Sequence, residues 1–107
     1  MNLLSEIIPK AMFEHGIDLK EIGINEYAWN RNNIEDIINI LAKKKIVVLG
    51  GDVYRISNDN IQMTYDSWYV NNDGSEYFYI KSYVVALNYI DEYEKNNLGN
   101  FLYTITI

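Results

Sequence analysis

Asp52 and Asp66 are the residues of this chain whose type and placement could do chemistry. Each sits in a run rich in β-branched and aromatic residues, so each is expected on a strand. Two acids on neighbouring strands could hold a divalent cation or work as an acid and base pair. They could equally be structural, accepting backbone N–H bonds that an irregular strand leaves unpaired. Little else supports catalysis. The chain has no GxSxG, no HExxH, no cysteine nucleophile and no phosphate-cradling glycine loop, because no GK[ST] follows Gly50-Gly51-Asp52. His15, the single histidine, falls at a helix end, where the dipole favours its charged form, and has no partner ligands nearby for a metal. Lys43, Lys44 and Lys45 suit the negative end of a helix better than a phosphate site in so acidic a chain.

The element that must position the two acids is residues 46–70, read as a β-hairpin. Ser57, Asn58, Asp59 and Asn60 form a four-residue loop of turn formers between the runs. If Ile56 faces Ile61, then Tyr54 faces Met63, and in an unbroken ladder Asp52 faces Tyr65. That gives one apolar face and one wet face carrying Arg55, Gln62 and Thr64. Gly50 and Gly51 interrupt the first strand and mark a bulge or a close backbone approach. A bulge there shifts the register by one, so that Trp68 lies across from Gly50 and covers it, with Asp52 and Asp66 on either side. The apolar run 46–49 reads as the doubly buried end of the same strand.

The remaining elements follow from spacing. Leu4, Ile7, Ile8, Ala11 and Met12 predict a first helix from Asn2 to His15, kinked at Pro9 or starting there, with Gly16 closing it. Residues 17–29 lack a clean period, with Gly23 breaking a short turn after Asp18, and read as a connector anchored by Ile22, Ile24 and Trp29. Ile34, Ile37, Ile38 and Leu41 form the clearest helical stripe, with Asn32 and Glu35 spaced as a capping box. A turn over 71–74 leads to a third helix ending near Glu94. Asp73 and Glu76 are spaced to cap it, and Ile80, Tyr83, Val84, Leu87 and Ile90 form its core stripe, with Tyr89 and Tyr93 half buried at most. Residues 101–107 form a closing strand, expected to pair beside 46–49 under helical cover and to supply the third strand that the sheet needs. The expected fold class is therefore α+β, a single domain over 1–107. Its order is α-α-β-β-α-β, a bulged antiparallel hairpin plus a C-terminal strand packed by helices.

The chain has 107 residues, enough to bury a core unaided, and its hydrophobic and charged fractions of 49% and 22% are those of a globular protein. No stretch reaches the roughly 20 apolar residues of a membrane span, and the N-terminus lacks the basic region of a secretory signal. Absent cysteines point to a cytoplasmic setting. A net charge of −6 disfavours nucleic acid and membrane surfaces and suits a basic partner, or simply keeps the domain soluble. No cofactor is expected. Ten tyrosines exceed what a core this size hides comfortably, and tyrosine is enriched at protein interfaces.

Residues 46–54 (IVVLGGDVY), residues 65–69 (YDSWY) and a following helix containing Ser82, Ala86, Tyr89 and Ile90 resemble the immunity protein 40 family of bacterial polymorphic toxin systems. The order of elements matches over most of the chain and only loosely over the first 30 residues. The resemblance implies a small α+β cytoplasmic protein that binds and neutralises a cognate toxin, and it names no binding surface. The residues read as the candidate surface are Asp52, Asp66, Trp68 and Tyr69, on the solvent side of the hairpin and facing a basic toxin site, with Gly50 and Gly51 as a structural bulge. Trp68 is either an interface anchor or a lid over the glycines. Two other classes stay open. One is a self-associating or regulatory interaction module. The other is a small enzyme using Asp52 and Asp66, disfavoured by the lack of a nucleophile or general base.

Overall fold

The structure, a computed structural model, describes residues 4–107, so the start of the expected first helix at Asn2 lies outside the described residues. Pro9 divides that helix in two, because proline lacks an N–H and holds its own backbone extended at φ −58° and ψ 141°. Helix α1 spans Leu4–Ile7 and helix α2 spans Lys10–Glu14. Gly16 follows α2 with an ordinary φ. What requires a glycine there is the Trp29 indole, which a Cβ would touch at 2.8 Å. Trp29 is fully buried, and its Nε1–H donates to Met12 O at 2.7 Å, which fixes α2 to the core.

The expected connector folds into a small unit of its own. Strands β1 (Ile17–Asp18) and β2 (Tyr27–Ala28) pair antiparallel around one 3-10 turn, Leu19–Ile22. Asp18 starts that turn by accepting from Lys20 N, and Gly23 ends it at φ 81°. Helix α3 covers Arg31–Lys43, and the stripe of Ile34, Ile37, Ile38 and Leu41 is wholly buried. Its cap is Asn30, whose side chain accepts from Asn33 N at 3.0 Å. The expected Asn32 box does not form, and Glu35 instead pairs with Arg31.

Strands β3 (Gly50–Ser57) and β4 (Asn60–Tyr69) make the hairpin. Ile56 pairs with Ile61 and Tyr54 with Met63, as the pattern predicts. The loop is shorter than expected, since Ser57 pairs with Asn60, leaving Asn58 and Asp59 at φ 51° and 65° as a two-residue turn of the primed type. The run 46–49 leads into β3 and is not part of it. Strand β5 (Asn100–Tyr103) lies on the other side of β3, giving the order β4-β3-β5. It pairs with 53–56, and only the chain end reaches the expected place, where Thr106 bridges Gly50 and accepts from Leu49 N. Trp29 pairs with Tyr103 through reciprocal backbone bonds, which covers the outer edge of β5.

Both faces of the sheet are covered. On one, Val53, Trp68, Phe101 and Tyr103 pack with Ile34, Ile37, Ala86 and Ile90 of the helices. On the other, Tyr54 and Leu102 pack with Leu19, Ala28, Ile56 and Ile61, so the connector supplies a second small core. The face expected to be wet lies under the helical layer, and Arg55 stacks over Phe101 at 5.4 Å.

Helix α4 spans Phe78–Asn96 and starts at Tyr77 without a side-chain cap. Asp73 bonds Ser75 within the preceding loop and does not cap the helix. The buried stripe is Phe78, Ser82, Ala86, Ile90 and Tyr93, while Ile80 and Val84 of the expected stripe point outward. Small side chains at 82 and 86 let the helix lie close. Ser82 accepts from Val48 N at 3.0 Å and donates to Tyr79 O at 2.9 Å.

Candidate functional site

The irregularity between the hairpin strands lies in β4. Between the pairs Tyr54–Met63 and Asp52–Ser67, β3 contributes one residue, Val53, whereas β4 contributes Thr64, Tyr65 and Asp66. The expected bulge at Gly50 and Gly51 is therefore misplaced, and the register moves by two: Trp68 pairs with Gly51, and Tyr69 with Gly50. The glycines answer to close approach. A Cβ on Gly50 would collide with the Trp68 carbonyl oxygen, and one on Gly51 with the Thr104 carbonyl oxygen and the Trp68 ring.

Threonines do the work that sequence reading offered to the aspartates. Thr64 Oγ1 donates to Val53 O at 2.7 Å and accepts from Asp66 N at 3.1 Å, which knits the bulge together. Thr104 Oγ1 accepts from Asp52 N at 2.9 Å. The carboxylates are left for other uses. Asp66 Oδ2 accepts from Tyr93 Oη at 2.7 Å, on the face that carries α4. Asp52 follows the alternation of β3 onto the opposite face, with Tyr54. There its charge adds to burial in raising the Glu26 carboxyl and the Tyr54 phenol above their ordinary pKa values.

This placement corrects the expectation of one shared solvent face. Asp66 and Trp68 lie toward the helices and Tyr69 on the other face of the edge strand β4, while Asp52 lies on that other face but one strand in, on the central strand β3, opposite Ser67. Both aspartates contribute to the lining of a shallow depression of about 270 Å³ at the bulge, with Val53, Tyr54, Met63 and Tyr65. Trp68 is 7% exposed, with its ring 5.1 Å from that of Tyr89, and its Nε1–H finds no hydrogen-bond partner among the described residues. Tyr69 is 68% exposed.

Sequence reading missed Tyr65 as a site residue. It is 88% exposed and sits at φ 65°, a left-handed conformation that costs a residue with a Cβ roughly 1–2 kcal/mol. Only its aromatic type between Thr64 and Asp66 hinted at it.

The arrangement offers little to a reaction. The two carboxylates face different sides of the sheet, and no group of three or more His, Cys, Asp or Glu among the described residues could hold a metal ion. A cavity of about 710 Å³, lined by Phe13, Asp18, Glu26 and Tyr27 among others, includes none of the four candidate residues. No helix among the described residues is long and apolar enough to cross a membrane.

A small α+β scaffold with a double glycine under a tryptophan defines a class, and comparison with protein families supplies which one. The family model described as Immunity protein 40 matches residues 18–107, and the chain belongs to that family. Membership carries an immunity role in a toxin system. No curated protein and no solved structure matches. The match starts within β1, at Asp18, and takes in the rest of the connector unit, α3, the hairpin, α4 and β5. The motif residues Gly50, Gly51, Trp68, Ser82, Ala86 and Ile90 are all buried at the junction of sheet and helix.

Proposed function

We propose that this chain binds a cognate toxin domain of a polymorphic toxin system in the cytoplasm and neutralises it by contact, as one domain, without a cofactor or chemistry of its own. The contact surface is the edge of β4 at the bulge: Tyr65, Asp66 and Tyr69, with Asp52 behind them and Trp68 as the support beneath. The observation that carries this reading is Tyr65, held in a costly backbone conformation while burying almost nothing. Strain of that kind collects at sites that serve recognition. Asp52 and Asp66 pair with no cation of the chain among the described residues, which suits a basic toxin surface and a steered approach. The charge balance speaks against nucleic acid and membrane as partners.

The test is co-expression with the toxin encoded beside this gene. Wild type should restore growth, and Asp52→Lys with Asp66→Lys should fold normally by circular dichroism and fail to protect. Protection by that double variant would remove the site assignment, and failure of the wild type to protect or bind would remove the function. A second reading, self-association, is favoured by Tyr77, Ile80 and Val84, which form an exposed apolar row along α4. A mass that rises with concentration in light scattering would support it.

A further inference from the structure

Asp66, Trp68 and Tyr69 share the edge strand and not a face, with Asp52 one strand in beside Ser67, and this restricts how a partner can reach them. Thr104 N donates to Asp52 O at 3.0 Å and Thr106 N to Gly50 O at 2.8 Å, so the even-numbered residues of β3 turn their backbone toward β5 and the chain end. Antiparallel pairing alternates, so Gly51, Val53 and Arg55 turn toward β4. The bonds Thr64 Oγ1 to Val53 O and Val70 N to Leu49 O agree with that phase. On β4 it follows that Trp68 bonds inward, while Ser67 and Tyr69 turn their N–H and C=O away from the sheet. Among the described residues no further strand lies on that side of β4.

The bulge divides this edge. Turnward of Tyr65, Ile61 is packed into the connector core. On the other side, residues 66–69 present two outward N–H and two outward C=O groups, flanked by exposed Tyr65 and Tyr69. Natural proteins protect an open edge with charge, proline or a bulge, and beyond the bulge, residues 66–69 carry no lysine or proline. Here the charged groups nearest to it are Asp66 on the edge strand itself and, on the opposite face of the adjoining strand β3, Asp52.

The geometry points to strand addition: the toxin contributes an extended basic segment that pairs with residues 66–69 of β4. This deepens the proposed function and rests on it. Side chains of an added strand alternate between faces, so one such segment can set a lysine or arginine beside Asp66 and another beside Asp52. A partner docking on either face alone would meet only half of the set. Two basic residues an odd number of positions apart are the signature required of the segment.

The experiment is amide hydrogen exchange on this protein, alone and saturated with the inactivated toxin domain encoded beside it. The amides of Ser67 and Tyr69 should exchange freely alone and slow by at least tenfold in the complex. Ser67→Pro removes an outward N–H at an edge position, where the proline ring and its fixed φ are tolerated, and should weaken binding by about tenfold or more while the chain still folds. A complex that forms and leaves both amides unprotected overturns strand addition and spares the immunity reading. Absence of any complex overturns both. Protection that appears without toxin and grows with protein concentration assigns the edge to a second copy and overturns the toxin segment.

Discussion

Trp68 pairs with Gly51 across the hairpin and lays its indole over the bare backbone there, in the space that a Cβ would claim. On its other side the ring meets Tyr89 of α4, so one side chain joins the edge strand to the helix. Trp68→Ala should therefore cost about 3–5 kcal/mol in a urea titration. Gly51→Ala inserts a methyl where the Thr104 carbonyl and the indole already sit, and should cost at least about 1–3 kcal/mol. A small loss from both variants would mean that the indole is free to leave the sheet.

Alkaline pH should expose a second weakness. Burial raises the Tyr103 phenol well above its ordinary value, and the Glu94 carboxylate, which accepts its O–H at 2.5 Å, adds to the shift. Tyr54, Tyr89 and Tyr93 are raised too, burial first. Raised folded values mean that the neutral phenols favour the folded state. Their contribution is complete below the unfolded value of about 10 and is lost as pH climbs beyond it. Urea midpoints should be insensitive to these groups from pH 7 to 9 and fall steeply above about 10. Tyr103→Phe should lower stability by about 1–3 kcal/mol at neutral pH, because Glu94 loses a charged hydrogen bond, and should flatten the alkaline fall.

Ser82 is fully buried with both hydrogen-bonding roles in use. Ser82→Ala leaves the Val48 N–H without its acceptor in the core and should cost about 1–3 kcal/mol. Ser82→Leu adds bulk where α4 meets the chain before β3, and should cost more than the alanine variant or prevent folding. Equal, small effects from the two would show that the helix can slide away from the sheet.

The legible parts of the fold were those whose signal is local. Helix α3 has one buried stripe and one polar side, so spacing alone located its core. Ile56 and Ile61 set the turnward register because turn formers bracket them closely. Helix α4 misled because Ile80 and Val84 face solvent while Ser82 and Ala86 face the sheet, and residue type cannot show a close approach to Val48. The double glycine announced an irregularity and pointed to Trp68 as its cover, but the Thr104 carbonyl that also crowds Gly51 lies more than 50 positions away. Without that information the bulge was placed on the wrong strand. The same error put Asp52 and Asp66 on one surface. The true insertion, Thr64-Tyr65-Asp66, carries no glycine at its left-handed position, which is the usual mark. In the connector the short turn between Asp18 and Gly23 was legible, but its two strands were not, because strands of two residues have no period to read.

That absent glycine yields the most discriminating prediction. A tyrosine at φ 65° should be worse for folding than a glycine, because the Cβ clash costs roughly 1–2 kcal/mol and glycine reaches this region freely. Part of that gain returns as the greater entropy of an unfolded glycine, about 0.5–1 kcal/mol. Exposure of 88% means that little packing is lost with the ring. Tyr65→Gly should therefore leave stability unchanged or raise it by up to about 1 kcal/mol in a denaturant titration. If the bulge presents the ring to the toxin, the same variant should bind more weakly by tenfold or more in calorimetry, since buried tyrosines anchor interfaces. Tyr65→Phe keeps the backbone cost and most of the contact area, and should bind nearly as well as wild type unless the hydroxyl is itself bonded. Stability held or gained with affinity lost would mark Tyr65 as kept for its partner. Affinity held would leave the strained tyrosine as an accident of the bulge and move the contact surface elsewhere.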